Sequence, residues 1–155
     1  MKQYRNKQIL VFGVLAVCVT ATIFWNSLQN AQQSIQLSSG LLAWLKPWLL
    51  PLFGGSEELM HEVIRKTAHF VEFAALGLCL CGVADGMDIK FWRTSLLFFT
   101  LFALLGTAVT DEFIQSFSDR TSSVKDVLLD FCGGIFGLVV TAALFAVLHS
   151  RRKRG

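Results

Sequence analysis

Charged residues are scarce in this chain of 155 residues, at 16% against 54% hydrophobic residues. A soluble domain of ordinary composition carries about 25% charged residues and scatters them over its surface. Here the few charges are clumped between long apolar stretches. The composition therefore excludes an ordinary soluble domain and predicts a single integral membrane domain over residues 1–155, with no soluble appendage.

Cysteine is also scarce, and the four cysteines lie inside apolar runs, where cysteine behaves as a small hydrophobic residue. The spacing of Cys79 and Cys81 does not match the common zinc or redox motifs. We therefore expect no disulfide scaffold. The net charge of +3 comes from basic residues at the predicted membrane edges, so we also expect no nucleic-acid partner.

Four segments are long and apolar enough to cross a bilayer, which takes roughly 17–25 mostly apolar residues. Their approximate bounds are 9–25, 63–84, 94–115 and 124–149. The sequence therefore predicts an all-α fold, an integral membrane four-helix bundle in the lipid bilayer. The basic start of the first segment would also suit a signal peptide, but its apolar run lacks a clean small-residue cleavage site, so we predict a retained helix.

Basic residues predict the orientation of the bundle. Cytoplasmic loops carry an excess of lysine and arginine, and this excess occurs before the first span, between the second and third, and after the fourth. Both termini are therefore predicted to be cytoplasmic. The residues concerned are Lys2, Arg5, Lys7, Lys90, Arg93, Arg151, Arg152, Lys153 and Arg154.

An extra apolar segment lies between the first two spans. Residues 26–40 are rich in Gln, Ser and Asn and should form a solvated loop or short helix. Residues 41–53 are apolar but too short to span, and two prolines interrupt them. Because Trp44 and Trp48 suit the headgroup zone, we predict an interfacial or re-entrant segment on the outer face. It could be a lid over a site or a simple anchor.

Polar residues inside the apolar segments are the strongest functional signal. Charge within a membrane span usually faces a protein interior or a water-filled cavity. In the second predicted span, Arg65, His69 and Glu72 are three or four residues apart, so they share one helix face. Lys66 borders the same face. Glu72 lies deep enough in the span that its carboxylate must be paired or hydrated.

The third and fourth predicted spans carry a second group of polar residues. Asp111 and Gln115 share a helix face, as do Glu112 and Gln115. In the fourth span, Asp126 and Asp130 lie one turn apart on one face. A buried Asp130 needs a cation or several hydrogen-bond donors.

The start of the fourth span also carries structural signals. Ser123 and Asp126 resemble a capping box with Asp in the usual Glu position, so Asp126 has a structural explanation beside a functional one. Gly133 and Gly137 continue the stripe of Asp126 and Asp130, and such glycine pairs mark close packing in membrane helices. This predicts that the stripe faces another helix, although the same glycines could serve a homo-oligomer.

We predict that these groups line one outward-facing pocket among the second, third and fourth spans. Its cationic side would be Arg65, Lys66 and Arg120. Its acidic side would be Glu72, Asp111, Glu112, Asp126 and Asp130. His69 and Gln115 would supply adaptable hydrogen bonds.

The order and spacing of these residues resemble those of the VanZ-like family of bacterial membrane proteins, which is named for a glycopeptide-resistance component. The resemblance covers about residues 60–140. Members often carry Pro-Gly before the arginine and Asn at the position of Asp130, and this chain does neither. The resemblance implies a bacterial cytoplasmic-membrane protein linked to teicoplanin-type resistance or envelope physiology, without a defined reaction. The pattern is Arg65-Lys66-x-x-His69-Phe70-x-Glu72-Phe73, Asp111-Glu112-x-x-Gln115, Arg120 and Asp126, with glycines in the last helix.

The first functional hypothesis is an envelope-binding protein. The pocket would hold a lipid headgroup, or the headgroup or peptide end of a lipid-linked cell-wall precursor, and so alter the access of glycopeptides to the wall. The basic residues would clamp phosphate or carboxylate. The substrate-binding residues would be Arg65, Lys66, Glu112, Gln115, Arg120, Asp126 and Asp130.

The second hypothesis is a membrane-embedded enzyme acting on a lipid-linked or phosphate-bearing envelope substrate. His69 would be the general acid or base, positioned by Glu72 or Asp111. The chain lacks a Gly-x-Ser-x-Gly nucleophile motif and a phosphatase signature, so the sequence leaves catalysis open.

Two further alternatives concern the same residues. His69, Glu72, Asp111 and Glu112 could ligate a divalent ion. A single histidine is little support, and the nearby basic residues disfavour a cation, so we predict no metal or other cofactor. The other alternative is an ion-pair network that only fixes helix register.

Overall fold

The computed structural model describes residues 2–29, 44, 46–87, 94–117 and 123–152. Each of the four predicted spans lies within a long helix, and the described residues contain no strand. The predicted all-α four-helix bundle is therefore confirmed. The helices are α1 (Lys2–Leu28), α2 (Glu57–Gly86), α3 (Thr94–Gln115) and α4 (Val124–Arg152).

The outer surface of the bundle is apolar. All four helices contain a stretch long and apolar enough to cross a membrane. On α3, the large side chains of Phe98, Phe99 and Phe102 are all exposed. A soluble monomer rarely exposes a contiguous apolar surface of this kind, whereas lipid chains solvate it. The protein is therefore a multi-pass membrane protein.

Helices α2 and α4 approach each other through glycines on both helices. A Cβ atom added to Gly77 would overlap the backbone of Gly134, and one added to Gly137 would overlap the backbone of Ala74. The close packing predicted from the glycines of α4 is therefore confirmed, and the partner is α2 of the same chain. We call this interface the glycine seam; it is formed by Gly77, Gly133, Gly134 and Gly137.

All four helices contribute to an apolar core beside the glycine seam. Its side chains interdigitate without polar partners, so the packing itself supplies the attraction, as is usual between helices in lipid. The core therefore fixes the rotation of each helix, and with it the direction of the polar side chains further along. Its buried members are Ala16, Ile23, Phe73, Leu76, Cys79, Leu104, Ala108 and Leu138.

The basic end of the bundle brings three helix ends together. Arg5 Nε donates to the carbonyl oxygen of Gly86 at 3.1 Å, and Gln8 Nε2 donates to Asp85 Oδ2 at 3.0 Å. His149 Nδ1 lies 3.7 Å from Asp85 Oδ1. The start of α1 therefore lies beside the ends of α2 and α4.

The extra segment between α1 and α2 is described only in part, since residues 41–43 and 45 lie outside the described residues. Residues 46–49 are helical, and Leu50–Phe53 form a short 3-10 helix. The Trp48 side chain is exposed, which suits a residue in the headgroup zone. The segment is too short to cross the membrane, as predicted.

A tight turn joins this segment to α2. Gly54 and Gly55 have φ angles of 62° and 82°, in the left-handed region that glycine adopts without a steric penalty. The Ser56 hydroxyl then caps α2 by accepting from the Leu59 amide at 3.3 Å. Lys46 Nζ and Glu57 Oε1, 2.8 Å apart, tie the segment to the first turn of α2.

Candidate functional site

Asp111, near the end of α3, is the most connected polar residue in the bundle. It is fully buried, at 0% exposure. Its carboxylate accepts from the Ser27 hydroxyl and from Gln115 Nε2, the latter at 2.8 Å. Its Oδ2 also lies 3.6 Å from His69 Nδ1. One buried carboxylate therefore joins α1, α2 and α3.

Helix α1 contributes two polar residues that the sequence analysis did not identify. Asn26 Nδ2 donates to Glu72 Oε1 at 2.6 Å, and the Ser27 hydroxyl donates to Asp111. Both lie just beyond the predicted end of the first span at residue 25, in a stretch expected to be a loop. The structure therefore adds α1 to the three helices whose polar residues were predicted to meet, and the outward-facing pocket stays a prediction. The only sequence signal was that polar residues follow Trp25 directly.

Asp130 of α4 completes the group. It is 2% exposed, and one of its oxygens, a His69 nitrogen and an Asp111 oxygen all lie within 4.8 Å of one another. Three residues from three different helices, and from distant parts of the sequence, therefore meet inside the bundle.

Lys66 and Asp126 lie away from this meeting point. Lys66 Nζ contacts Glu62 Oε1 at 2.9 Å and Asp126 Oδ1 at 3.2 Å, and both Lys66 and Glu62 are substantially exposed. Lys66 is therefore engaged by two acids at the edge of the bundle. Arg65 is half-buried and makes no ion pair with any residue that the structure describes. Arg120 lies outside the described residues.

Glu112 connects the end of α3 to the start of α4. It is 4% exposed, and its Oε1 accepts from the backbone amide of Ser123. The Ser123 hydroxyl accepts from the Lys125 amide at 3.1 Å, so Ser123 caps α4 as predicted. The predicted partner in the capping box is wrong, however, because Glu112 takes the Ser123 amide while Asp126 contacts Lys66.

Helices α1 to α4 thus enclose one group of polar side chains, which we call the polar cluster. Half of its members are carboxylates, and Glu112 Oε2 is buried without a hydrogen-bond partner among the described residues. His69 Nδ1 lies 3.6 Å from Asp111 and 3.9 Å from Glu72, so a proton on this nitrogen would face two acids. The members are Asn26, Ser27, His69, Glu72, Asp111, Glu112, Gln115 and Asp130.

The polar cluster can do two kinds of chemistry. A group of acceptors in a medium of low dielectric favours donors and cations, because an unpaired charge there is costly. A histidine held beside carboxylates can also accept and return a proton. Both properties follow from the burial and mutual distances of the same side chains.

Comparison with known proteins gives one positive result. The family model VanZ/LLP1 matches residues 12–146. No curated protein and no solved structure matches the chain. The matched range covers most of α1, all of α2 and α3 and most of α4, and it includes every member of the polar cluster. The chain therefore belongs to the VanZ/LLP1 family of membrane proteins.

Proposed function

We propose that the protein binds a polar component of the bacterial cell envelope at the polar cluster. The observation that carries the proposal is the meeting of His69, Asp111 and Asp130 inside a membrane bundle. Ionisable residues in membrane spans are costly and usually functional. Packing alone would not require this arrangement, since the apolar core and the glycine seam already hold the helices together.

The chemistry of the cluster suggests the ligand class. Buried carboxylates favour ligand hydroxyl and ammonium groups, while Arg65 is available for a phosphate or a carboxylate. Lys66 is a weaker candidate, because Glu62 and Asp126 already engage it. A lipid-linked cell-wall precursor carries phosphate, sugar hydroxyls and peptide groups on one molecule, so it matches this mixture.

The distribution of charge supports an outward-facing site. The basic start of α1 and the basic end of α4 both lie beside the end of α2, where Arg5 contacts Gly86 and His149 lies near Asp85. Under the positive-inside rule this end is cytoplasmic. The polar cluster is nearer the other end, at the C-terminal half of α3. It would face the outside of the cytoplasmic membrane, where glycopeptides of the teicoplanin type meet their wall target.

A membrane-embedded enzyme is the second candidate, and one observation favours it. His69 Nδ1 faces Asp111 and Glu72 at 3.6 and 3.9 Å, as expected of a general acid or base that carboxylates orient. Arg65 would then stabilise charge on a phosphate-bearing substrate.

A binding assay with labelled lipid-linked wall precursor tests the proposal. The full chain is placed in nanodiscs, and retained precursor and released products are measured together. We expect saturable retention that is at least about tenfold weaker in Arg65→Gln, since a desolvated charged contact contributes 1.4 kcal/mol or more. Lys125→Gln removes an exposed cation near the start of α4 and is the matched control, with retention expected to match the original chain.

The two candidates give different results in this assay. Retention without products supports the binding function. Products that form with the original chain and not with His69→Ala support the enzyme. Neither retention nor products, with correctly folded protein, would contradict both. In cells, the binding function predicts that Arg65→Gln and Lys125→Gln differ in their response to teicoplanin-type glycopeptides.

A further inference from the structure

The geometry points to a divalent metal site formed by His69, Asp111 and Asp130. This inference goes beyond the envelope ligand proposed above and does not depend on it. The three residues come from α2, α3 and α4, so a bound ion would link three helices at the polar cluster. The ion class is a transition-metal dication such as Zn²⁺ or Mn²⁺.

The distances fit such an ion. One ligand atom from each residue lies within 4.8 Å of the other two. Zn²⁺ holds nitrogen and oxygen ligands at about 2.0–2.2 Å, so two of its ligand atoms are at most about 4.4 Å apart. Side-chain movements of less than about 1 Å would therefore bring the three atoms to bonding distance, without movement of the helices.

The second observation is the burial of Asp130 without a polar partner among the described residues. This side chain is 2% exposed, and among the described residues its carboxylate has neither a hydrogen bond nor an ion pair. An ionised acid in such a place requires a nearby positive charge. A dication between Asp130 and Asp111 would supply that charge.

Two features favour a metal ion over a protein cation at this position. Lys66 of α2, one of the two basic residues that counted against a metal in the sequence, is already engaged at the edge of the bundle by Glu62 and Asp126. The donor set is one imidazole and two carboxylates, which suits borderline divalent ions.

The test is a metal titration of tag-free full-length protein in nanodiscs, stripped with chelator and free of any envelope ligand. Calorimetry with Zn²⁺ and with Mn²⁺ should show one saturable ion per chain. Asp130→Asn should weaken binding at least about tenfold, as expected when a ligand group is lost. Asp126→Asn removes the same charge one turn away, and its affinity should match that of the original chain.

Co²⁺ substitution gives a spectroscopic signal that Asp130→Asn would leave unchanged if Asp130 had only a structural role. Visible absorption bands of Co²⁺ should appear with the original chain and with Asp126→Asn, and should be lost with Asp130→Asn. If Asp130→Asn does not fold, His69→Gln serves as the second variant, with the same expected loss. No saturable metal binding, or equal affinity in the ligand variants, would overturn the inference.

Discussion

The glycine seam between α2 and α4 lies next to the polar cluster, which these two helices share with α1 and α3, yet the two regions differ in kind. In the seam, backbones touch, so that a single added carbon atom at Gly77 or Gly137 has no room. In the cluster, buried polar side chains of four helices meet, and the Asp130 carboxylate has no hydrogen bond or ion pair with any residue that the structure describes. The close helix packing of the seam allows the cluster to form. A Cβ atom on Gly133 would lie only 2.5 Å from the carbonyl oxygen of Phe70, and Phe70 is the residue next to His69. Close backbones bring Asp130 within reach of His69.

The largest effect is expected in the seam. Gly77→Leu should prevent folding, and Gly77→Ala should lower the free energy of unfolding by about 3 kcal/mol, the upper end of the usual cost of overpacking, because the new atom meets backbone. Thermal unfolding in detergent measures this. Gly106→Ala is the control, since a Cβ atom there has nothing within 4 Å. Equal stability of the two alanine variants would mean that the helices are further apart.

A smaller loss of stability is expected at the centre of the cluster. Asp111→Ala removes the acceptor of Ser27 and Gln115, and leaving buried donors unsatisfied costs about 1–3 kcal/mol. Asp111→Asn keeps an acceptor oxygen and should lose less. Chemical denaturation of both variants measures the difference. If Asp111→Ala is as stable as the original chain, the connection of three helices through this carboxylate is wrong.

The contribution of α1 should be smaller again. Asn26→Ala removes the donor to Glu72, and a hydrogen bond between membrane helices contributes about 1 kcal/mol. Thr22→Ala is the matched control, because the exposed Thr22 hydroxyl bonds only to Cys18 of its own helix. Unfolding of the two variants side by side shows whether α1 belongs to the site. Identical unfolding curves for the two variants would mean that α1 does not contribute to the polar cluster.

The smallest effect is expected at the membrane edge. Lys66→Gln breaks contacts with Glu62 and Asp126 at the edge of the bundle, where all three side chains are partly exposed to solvent, and ion pairs in such places contribute little to stability. We expect Lys66→Gln to lower Tm only slightly. At high salt the difference in Tm between the variant and the original chain should disappear, because salt screens exposed ion pairs. A large, salt-independent decrease in Tm would show that Lys66 belongs to the buried cluster.

Local periodicity predicted much of this architecture. The four spans follow from length and apolarity, and the bond between Asp111 and Gln115 follows from helical spacing. Contacts between different helices could not be predicted from local periodicity. The roles of Asn26 and Ser27 depend on α1 extending to residue 28, past its apolar run. The partners of Lys66 depend on helix rotation, which the seam and the core set through packing that a single sequence does not display.

The most direct test of the central claim is the binding of labelled lipid-linked precursor by Asp130→Asn, at matched amounts of folded protein. If the glycine seam and the apolar core stabilise the fold and the polar cluster binds the ligand, this variant keeps its Tm, since neither the seam nor the core contains Asp130. Its retention of precursor should fall at least about tenfold, the loss of one charged contact. Full retention by a folded Asp130→Asn chain would contradict the account.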